Sequence, residues 1–418
     1  MFSYPDINKE IILKSEQAEE SLERAFKRLD EICEENQYKV LKAFQKNKVN
    51  ETCFYSSSGY GYSETGREVL EAVYADVFHT EDALVRSQIT CGTQAIFLAL
   101  SANLLPGDEI LFITGKPYDS LEMAIGITPC AGSLAENKIT HKIVDLINNR
   151  YFDKDAIKKA ISPRTKIVAV QRSKGYVSRH SFTAEEVGQI CQYIHSIDSS
   201  LIVFVDNCYG EFVCPHEPTD YGADLMAGSL IKNPGAGLAP TGGYIAGRAD
   251  LIKRCAFRLT APGLGKEVGP SLGNLRSFFQ GLSLAGKVVN QALKTAFFAA
   301  ALFSSYGFKV EPGPDESHGC IVEAIDLLDE EKLNRFCAAI QSSSYVDSYV
   351  RPVGWDMPGY SDNVIMASGS FVSGSSIELS ADGPVRPPYT VFLQGALTYE
   401  HGRYAVMKAL EAVLDKKM

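Results

Sequence analysis

The chain has 418 residues, 45% hydrophobic and 22% charged, a balance that excludes a disordered segment, a collagen-like fibre and a coiled coil. At roughly 100–200 residues per domain, this length predicts two or three domains. Lys and Arg number 41 against 51 Asp and Glu, a formal net charge of −10, so neither nucleic acid nor an anionic membrane surface is an expected partner.

Residues 9–46 predict one long amphipathic helix, with Leu22, Ala25, Phe26, Leu29, Ile32 and Cys33 recurring at three and four. This N-terminal arm, 1–50, either packs on its own domain or lies on a partner subunit. Ser56-Ser57-Ser58-Gly59-Tyr60-Gly61-Tyr62-Ser63 follows as a Ser/Gly/Tyr loop, ending before the helical pattern Val69, Leu70, Val73, Tyr74, Val77. From about 85 to 250 the expected strands are 85–89, 109–113, 142–145, 166–171, 201–206 and 243–247. The expected helices between them are 93–103, 120–125, 153–160 and 183–196. The segments 166–171 and 201–206 are nearly continuous apolar runs, which suits parallel strands buried on both faces. Ligands in such sheets bind beyond the carboxyl ends of the strands. A long apolar helix is expected over 275–303. After Gly307 the texture changes to strands at Val310, 321–325 and 377–379, with helices at 330–340 and 401–414. The reading is α/β: a large domain over 51–305 with a mostly parallel sheet, and a smaller C-terminal α+β domain over 306–418.

The ten cysteines show no Cys-x-x-Cys spacing, and a chain this long needs no disulfide staples, so a reduced, cytoplasmic protein is expected. The opening segment lacks a signal-peptide profile, and the longest apolar run, 296–303, is too short to span a membrane. The seven histidines show no paired-ligand spacing, so no metal site is expected. No Gly-x-Gly-x-x-Gly follows a strand, which speaks against a nicotinamide enzyme.

The sharpest segment is Ser229-Leu230-Ile231-Lys232-Asn233-Pro234-Gly235. A helix cannot continue through Pro234, so Lys232 sits on a turn at the sheet edge. Asp206 ends the apolar run 201–205 and projects towards the same crevice. A turn acid before Asn207 and a solvated loop lysine are the plainer readings. Together, however, an amine and a carboxylate in one α/β crevice match what pyridoxal phosphate requires: a lysine for the Schiff base and an acid beside the pyridine nitrogen. Cys91-Gly92-Thr93-Gln94 opens an apolar helix after a strand, where free amides can bind phosphate. Tyr118 follows the strand at 109–113 and could stack on a flat ring.

The order Gly92-Thr93, Tyr118, Asp206, Lys232 resembles the aspartate-aminotransferase-like (fold type I) pyridoxal-phosphate enzymes. Val205-Asp206-Asn207-Cys208-Tyr209-Gly210-Glu211-Phe212 and the Lys232 segment resemble the cystathionine β-lyase and methionine γ-lyase group. Within it, the loops Gly59-Tyr60-Gly61-Tyr62 and Gly383-Pro384-Val385-Arg386-Pro387-Pro388-Tyr389 are similar to its methionine-γ-lyase-like, aluminium-resistance branch. This resemblance implies that Lys232 holds pyridoxal 5′-phosphate and then shuttles protons, that Asp206 pairs with the pyridine nitrogen and that Tyr118 stacks on the ring. Gly92, Thr93 and Ser229 would bind the phosphate, and Gln171 would lie near the cofactor's O3′. Tyr62 would reach the phosphate of a neighbouring subunit. Glu64 stands where the basic companion of that tyrosine is expected, and Arg67 is its nearest substitute. Ile231 replaces an expected threonine. Arg386, between rigid prolines, is the expected fork for the substrate carboxylate, with Arg172 as competitor and Tyr60 beside the substrate.

The implied activity is a carbon–sulfur lyase, eliminating from the β- or γ-carbon of a cystathionine- or methionine-type amino acid by way of the Lys232 Schiff base. Another reaction on the same cofactor (aminotransfer, γ-replacement, aldol cleavage) and a non-catalytic role in metal tolerance are the alternatives. Because an attacking lysine must be neutral, its pKa is expected to be depressed. A homodimer with shared active sites, forming a tetramer, is the expected assembly.

Overall fold

Strands that are apolar on both faces need helices on both sides, and the computed structural model, which describes residues 4–357, 360 and 362–415, supplies them. Before the sheet come α1 (Lys9–Ser21) and α2 (Glu23–Lys46). The single helix expected over 9–46 is thus broken at the buried Leu22, which has φ −95° and ψ 1°. The two halves have different partners. Ser15 and Glu19 on α1 meet Arg403 near the C-terminus, whereas Asn36 on α2 donates to the carbonyls of Phe212 and Cys214. The arm therefore packs on its own chain.

One sheet contains β1 (Asp82–Arg86), β2 (Glu109–Phe112), β3 (Thr140–Ile143), β4 (Thr165–Gln171), β5 (Ile202–Asp206), β6 (Leu225–Ser229) and β7 (Gly243–Gly247). Its order is β1-β7-β6-β5-β4-β2-β3. All strands are parallel except β7, which runs antiparallel to β1 and β6. Between them run α3 (Thr65–Val77), α4 (Gly92–Ala102), α5 (Asp119–Ile125), α6 (Lys154–Ala160), α7 (Ala184–Ile197) and α8 (Ala249–Leu259). The strand expected at 85–89 lies three residues earlier, because Ser87 and Gln88 already belong to the turn into α4.

Successive strand residues point to opposite faces, and here they feed two cores. Val168, Val170, Val203, Val205 and Met226 enter one. Ile167, Ala169, Ile202, Phe204, Leu225 and Ala227 enter the other, the layer that includes Ala95, Ile96 and Ala99 of α4. The same parity carries Gln171, Asp206 and Ser229, the last residues of β4, β5 and β6, to the α4 side.

The long α9 (Leu275–Ser305) leads to a second, antiparallel sheet of β8 (Lys309–Glu311), β9 (Glu323–Asp326), β10 (Val364–Ser368), β11 (Ser380–Pro384) and β12 (Thr390–Gln394), ordered β10-β11-β12-β9-β8. The strand expected at 377–379 is instead the buried approach to β11, where Glu378 accepts from the amides of Phe371 and Val372. Gly383 faces Leu333 of α10 (Glu330–Ser342), so Asp382 points to the opposite face; α11 (Tyr399–Leu414) closes the fold. Among the described residues, no helix is long and apolar enough to cross a membrane, and no group of three or more His, Cys, Asp or Glu could hold a metal ion.

Candidate active site

The carboxyl ends of β2, β4, β5 and β6 open into a cavity of about 580 Å³, closed on its far side by the second sheet. Lys232, Asp206, Gly92, Thr93, Tyr118, Ser229, Gln171 and Arg386 all line it. Eight residues scattered over nearly 300 positions are thereby brought to one wall-to-wall space.

Lys232 follows β6 on the predicted turn: Asn233 and Pro234 open a single 3₁₀ turn, and Asn233 Nδ2 donates to Glu211 O at 2.9 Å. The turn is seated on α9 by a close approach, because a Cβ on Gly281 would lie 2.5 Å from Gly235 O. Asp206 is buried and accepts from the Cys208 amide at 3.1 Å. Burial pushes its carboxyl pKa up, while Lys232 pulls it back. For Lys232 itself burial disfavours the ammonium, but Cys208, Tyr209 and Asp206 outweigh burial and hold the amine well above its ordinary value. The depressed lysine expected from the sequence is thus reversed, because acidic groups surround the amine as well as apolar ones.

Gly92 opens α4 where β6 ends. A Cβ there would meet Cys208 Sγ and Ser229 Cβ, each at 3.3 Å. Ser229 Oγ is buried with no hydrogen-bond partner among the described residues, and Tyr118 OH donates to Thr93 Oγ1 at 3.2 Å. A helix start, two hydroxyls and a space that only glycine leaves open are the features of an anion cradle.

Several expected residues lie elsewhere. Arg172 shares the parity of Val168 and Val170, so its side chain leaves the opposite face of β4. Its guanidinium is fully buried on Asn207 Oδ1 (2.8 Å), Gly210 O (2.8 Å), Phe182 O (2.9 Å) and Glu217 Oε2 (3.3 Å). It does not reach the cavity, which corrects its assignment to substrate. Arg67 is corrected likewise: it is buried, donating to Gly61 O at 2.6 Å and Gly269 O at 2.9 Å, and braces the tyrosine loop. Glu64 is also structural, accepting from the Ser57 and Ser271 amides. Tyr60 and Tyr62, 70% and 57% exposed, stack on each other at 5.4 Å between centroids, outside this chain's cavity.

Three cavity residues were not singled out from the sequence. Arg179 is buried, donates to Gln171 O and His180 O at 2.9 Å, and faces Asp206; burial lowers its pKa to about 10. Tyr176 and Tyr209 close the floor against Phe392. The one available signal was the density of cations and aromatics after β4, at Arg172, Lys174, Tyr176 and Arg179, without a rule for which face each takes.

An open α/β sheet with a half-buried lysine and a buried acid at adjacent strand ends, beside a glycine-opened helix, defines the fold type I pyridoxal-phosphate class. The methionine gamma-lyase family matches residues 11–414, and the chain belongs to that family. It is 49% identical to the uncharacterized protein YnbB of Bacillus subtilis over 394 residues, 94% of each chain. A candidate cystathionine beta-lyase involved in aluminum resistance from Listeria monocytogenes superposes with a TM-score of 0.94 at 47% identity, covering 96% of this chain and 100% of that one. A carbon-sulfur lyase involved in aluminum resistance from Clostridium novyi gives 0.94 at 45%, covering 98% and 97%. Members of this family use pyridoxal phosphate. The residues here fit that group: an amine on the cavity wall, a buried acid, a serine hydroxyl unpartnered among the described residues and the cradle at Gly92.

Proposed function

We propose that this protein is a pyridoxal-phosphate-dependent lyase that eliminates a thiol from the β- or γ-carbon of a sulfur amino acid of the cystathionine or methionine type. The observation that carries the reading is the convergence of Lys232 and the buried Asp206 on one cavity of a methionine γ-lyase family member. The names of its relatives, a candidate cystathionine β-lyase and a carbon–sulfur lyase, support it.

The cofactor, when bound, supplies an electron sink for a carbanion beside the substrate nitrogen. The chain's residues do the rest. Lys232 would hold the cofactor and, when free, would move the α-proton on its Nζ. Asp206 would keep the ring nitrogen protonated. Ser229, Thr93 and the amides at Gly92 would hold the phosphate. Tyr118, whose pKa burial pushes well up, remains a phenol able to give a proton to the departing sulfur. Arg386 takes the substrate carboxylate. With purified holo-protein and a panel of sulfur amino acids, thiol and 2-oxo acid should appear in equal amounts. Amino transfer without thiol release would make the protein an aminotransferase instead.

Arg386 is held at 2.6 Å by Asp362 and at 3.3 Å by Tyr176 O, so a substrate carboxylate has to exchange with the internal acid. Lysine cannot reproduce the fork. Arg386→Lys should raise KM by about 10- to 100-fold, the span of a hydrogen-bonded charge pair, with a smaller effect on kcat. An unchanged KM would remove Arg386 from the substrate site.

The exposed Tyr60–Tyr62 stack, braced by Arg67 and outside the lining of this chain's cavity, supports sites completed by a second copy. Mixing Lys232→Ala subunits with Tyr62→Ala subunits should then restore activity that neither has alone, to about a quarter of the wild-type level for random pairing in a two-fold dimer. No restoration would place Tyr62 outside the shared site.

A further inference from the structure

Tyr209 has φ +71°, a left-handed conformation that a bulky residue adopts only where its surroundings impose it. Its carbonyl accepts from the Ile321 amide at 3.1 Å, and its hydroxyl meets Ser376 Oγ at 3.4 Å. Both partners belong to the segments flanking the second sheet. Held from that side, the half-buried ring lies under Lys232, with Nζ 3.8 Å from the ring centroid. The face of a tyrosine ring carries negative potential, and in a desolvated site it attracts an ammonium strongly.

We propose that Tyr209 is a further catalytic residue, stabilising the protonated Lys232 amine with its ring and hydroxyl and so governing how readily that amine takes up and returns the substrate's α-proton. The inference rests on the reading of Lys232 as the cofactor-bearing amine. In the step concerned, the substrate's Cα–H bond breaks and its electron pair stays with the substrate. The proton forms an N–H bond on Lys232 Nζ, and a positive charge appears over the Tyr209 ring.

Other groups also face this amine. Asp206 ends β5, Cys208 follows it, and Glu211 lies behind them. Tyr118 comes from the start of α5, and Tyr360 and Asp382 come from the side of the second sheet. Burial pushes Glu211 to about 8, Asp382 to about 6 and the thiol and phenols upward. The aromatic face against Nζ is supplied by Tyr209.

The cofactor-free protein gives a readout independent of turnover. Capture joins the Lys232 nitrogen to the aldehyde carbon of added pyridoxal phosphate and releases water, and it needs the neutral amine. Its rate therefore rises with pH through the pKa of Lys232. A group that favours the ammonium raises that midpoint, and removing the group lowers it. Tyr209→Leu should move the midpoint of the capture rate, read by absorbance, down by about one pH unit. Tyr209→Phe, which keeps the ring and loses the hydroxyl, should move it down by about half a unit. In the loaded enzyme, both should slow exchange of the substrate α-proton with D₂O. An unchanged midpoint in both variants overturns the inference. If the leucine variant does not fold, the isosteric phenylalanine variant decides alone. Wild-type protein that captures no pyridoxal phosphate at any pH would instead sink the reading of Lys232, a separate outcome.

Discussion

Lys232→Ala is expected to lose turnover by ~10³-fold or more, together with the absorption band of bound cofactor, because one side chain both holds the cofactor and carries the proton. The two losses should arrive together. The alanine variant should still fold, since the turn is set by Asn233, Pro234 and the contact of Gly281 with Gly235 rather than by the lysine side chain. Added methylamine should restore a small part of the proton transfer without restoring the covalent attachment. A variant with full activity and an unaltered spectrum would exclude Lys232 from the chemistry.

Asp206→Asn is expected to show the second-largest effect. The two residues have the same shape, but the amide cannot keep a ring nitrogen protonated, and loss of one preorganised electrostatic group of this kind costs about 10²- to 10³-fold in kcat. The stability effect should have the opposite sign. Burial raises the pKa of Asp206 above that of an unfolded aspartate, so its ionised form costs folding free energy, and stability falls as pH rises through the raised value. The asparagine variant of the cofactor-free protein should lack that loss and melt no lower, and at neutral pH higher, than the wild type. A large fall in both melting temperature and activity would mark Asp206 as a structural residue.

The parts of this site legible in the sequence are those fixed by local chemistry. Pro234 stops the chain after Lys232, and Gly92 opens a helix after a strand. The apolar run before Asp206 can only be a buried strand. The parts that escaped depend on parity and on partners. Arg172 stands one residue beyond Gln171, and that single step sends it through the sheet to the opposite core, whereas Arg179, seven residues further on, returns to the cavity. No composition rule separates the two. β6, Leu-Met-Ala-Gly-Ser, has little intrinsic strand preference and is held extended by pairing on both sides with β5 and β7. The break at Leu22 is equally invisible, since both halves keep the helical period and only their separate neighbours pull them apart. Arg67 was the nearest substitute for a basic phosphate contact whose expected position Glu64 occupies, but the carbonyls of Gly61 and Gly269 take its guanidinium first.

The seat of the Lys232 turn on α9 ties that turn to the second sheet. Gly281 lets the helix backbone touch the backbone of Gly235 with no side chain between them, and Phe297 on the same helix stacks edge-on against His318 beside the second sheet at 4.0 Å. A rigid rod thus connects the reactive amine to the wall that carries Arg386. The place of the amine relative to that wall is therefore set by one helix as well as by the strands that hold Asp206 and Ser229.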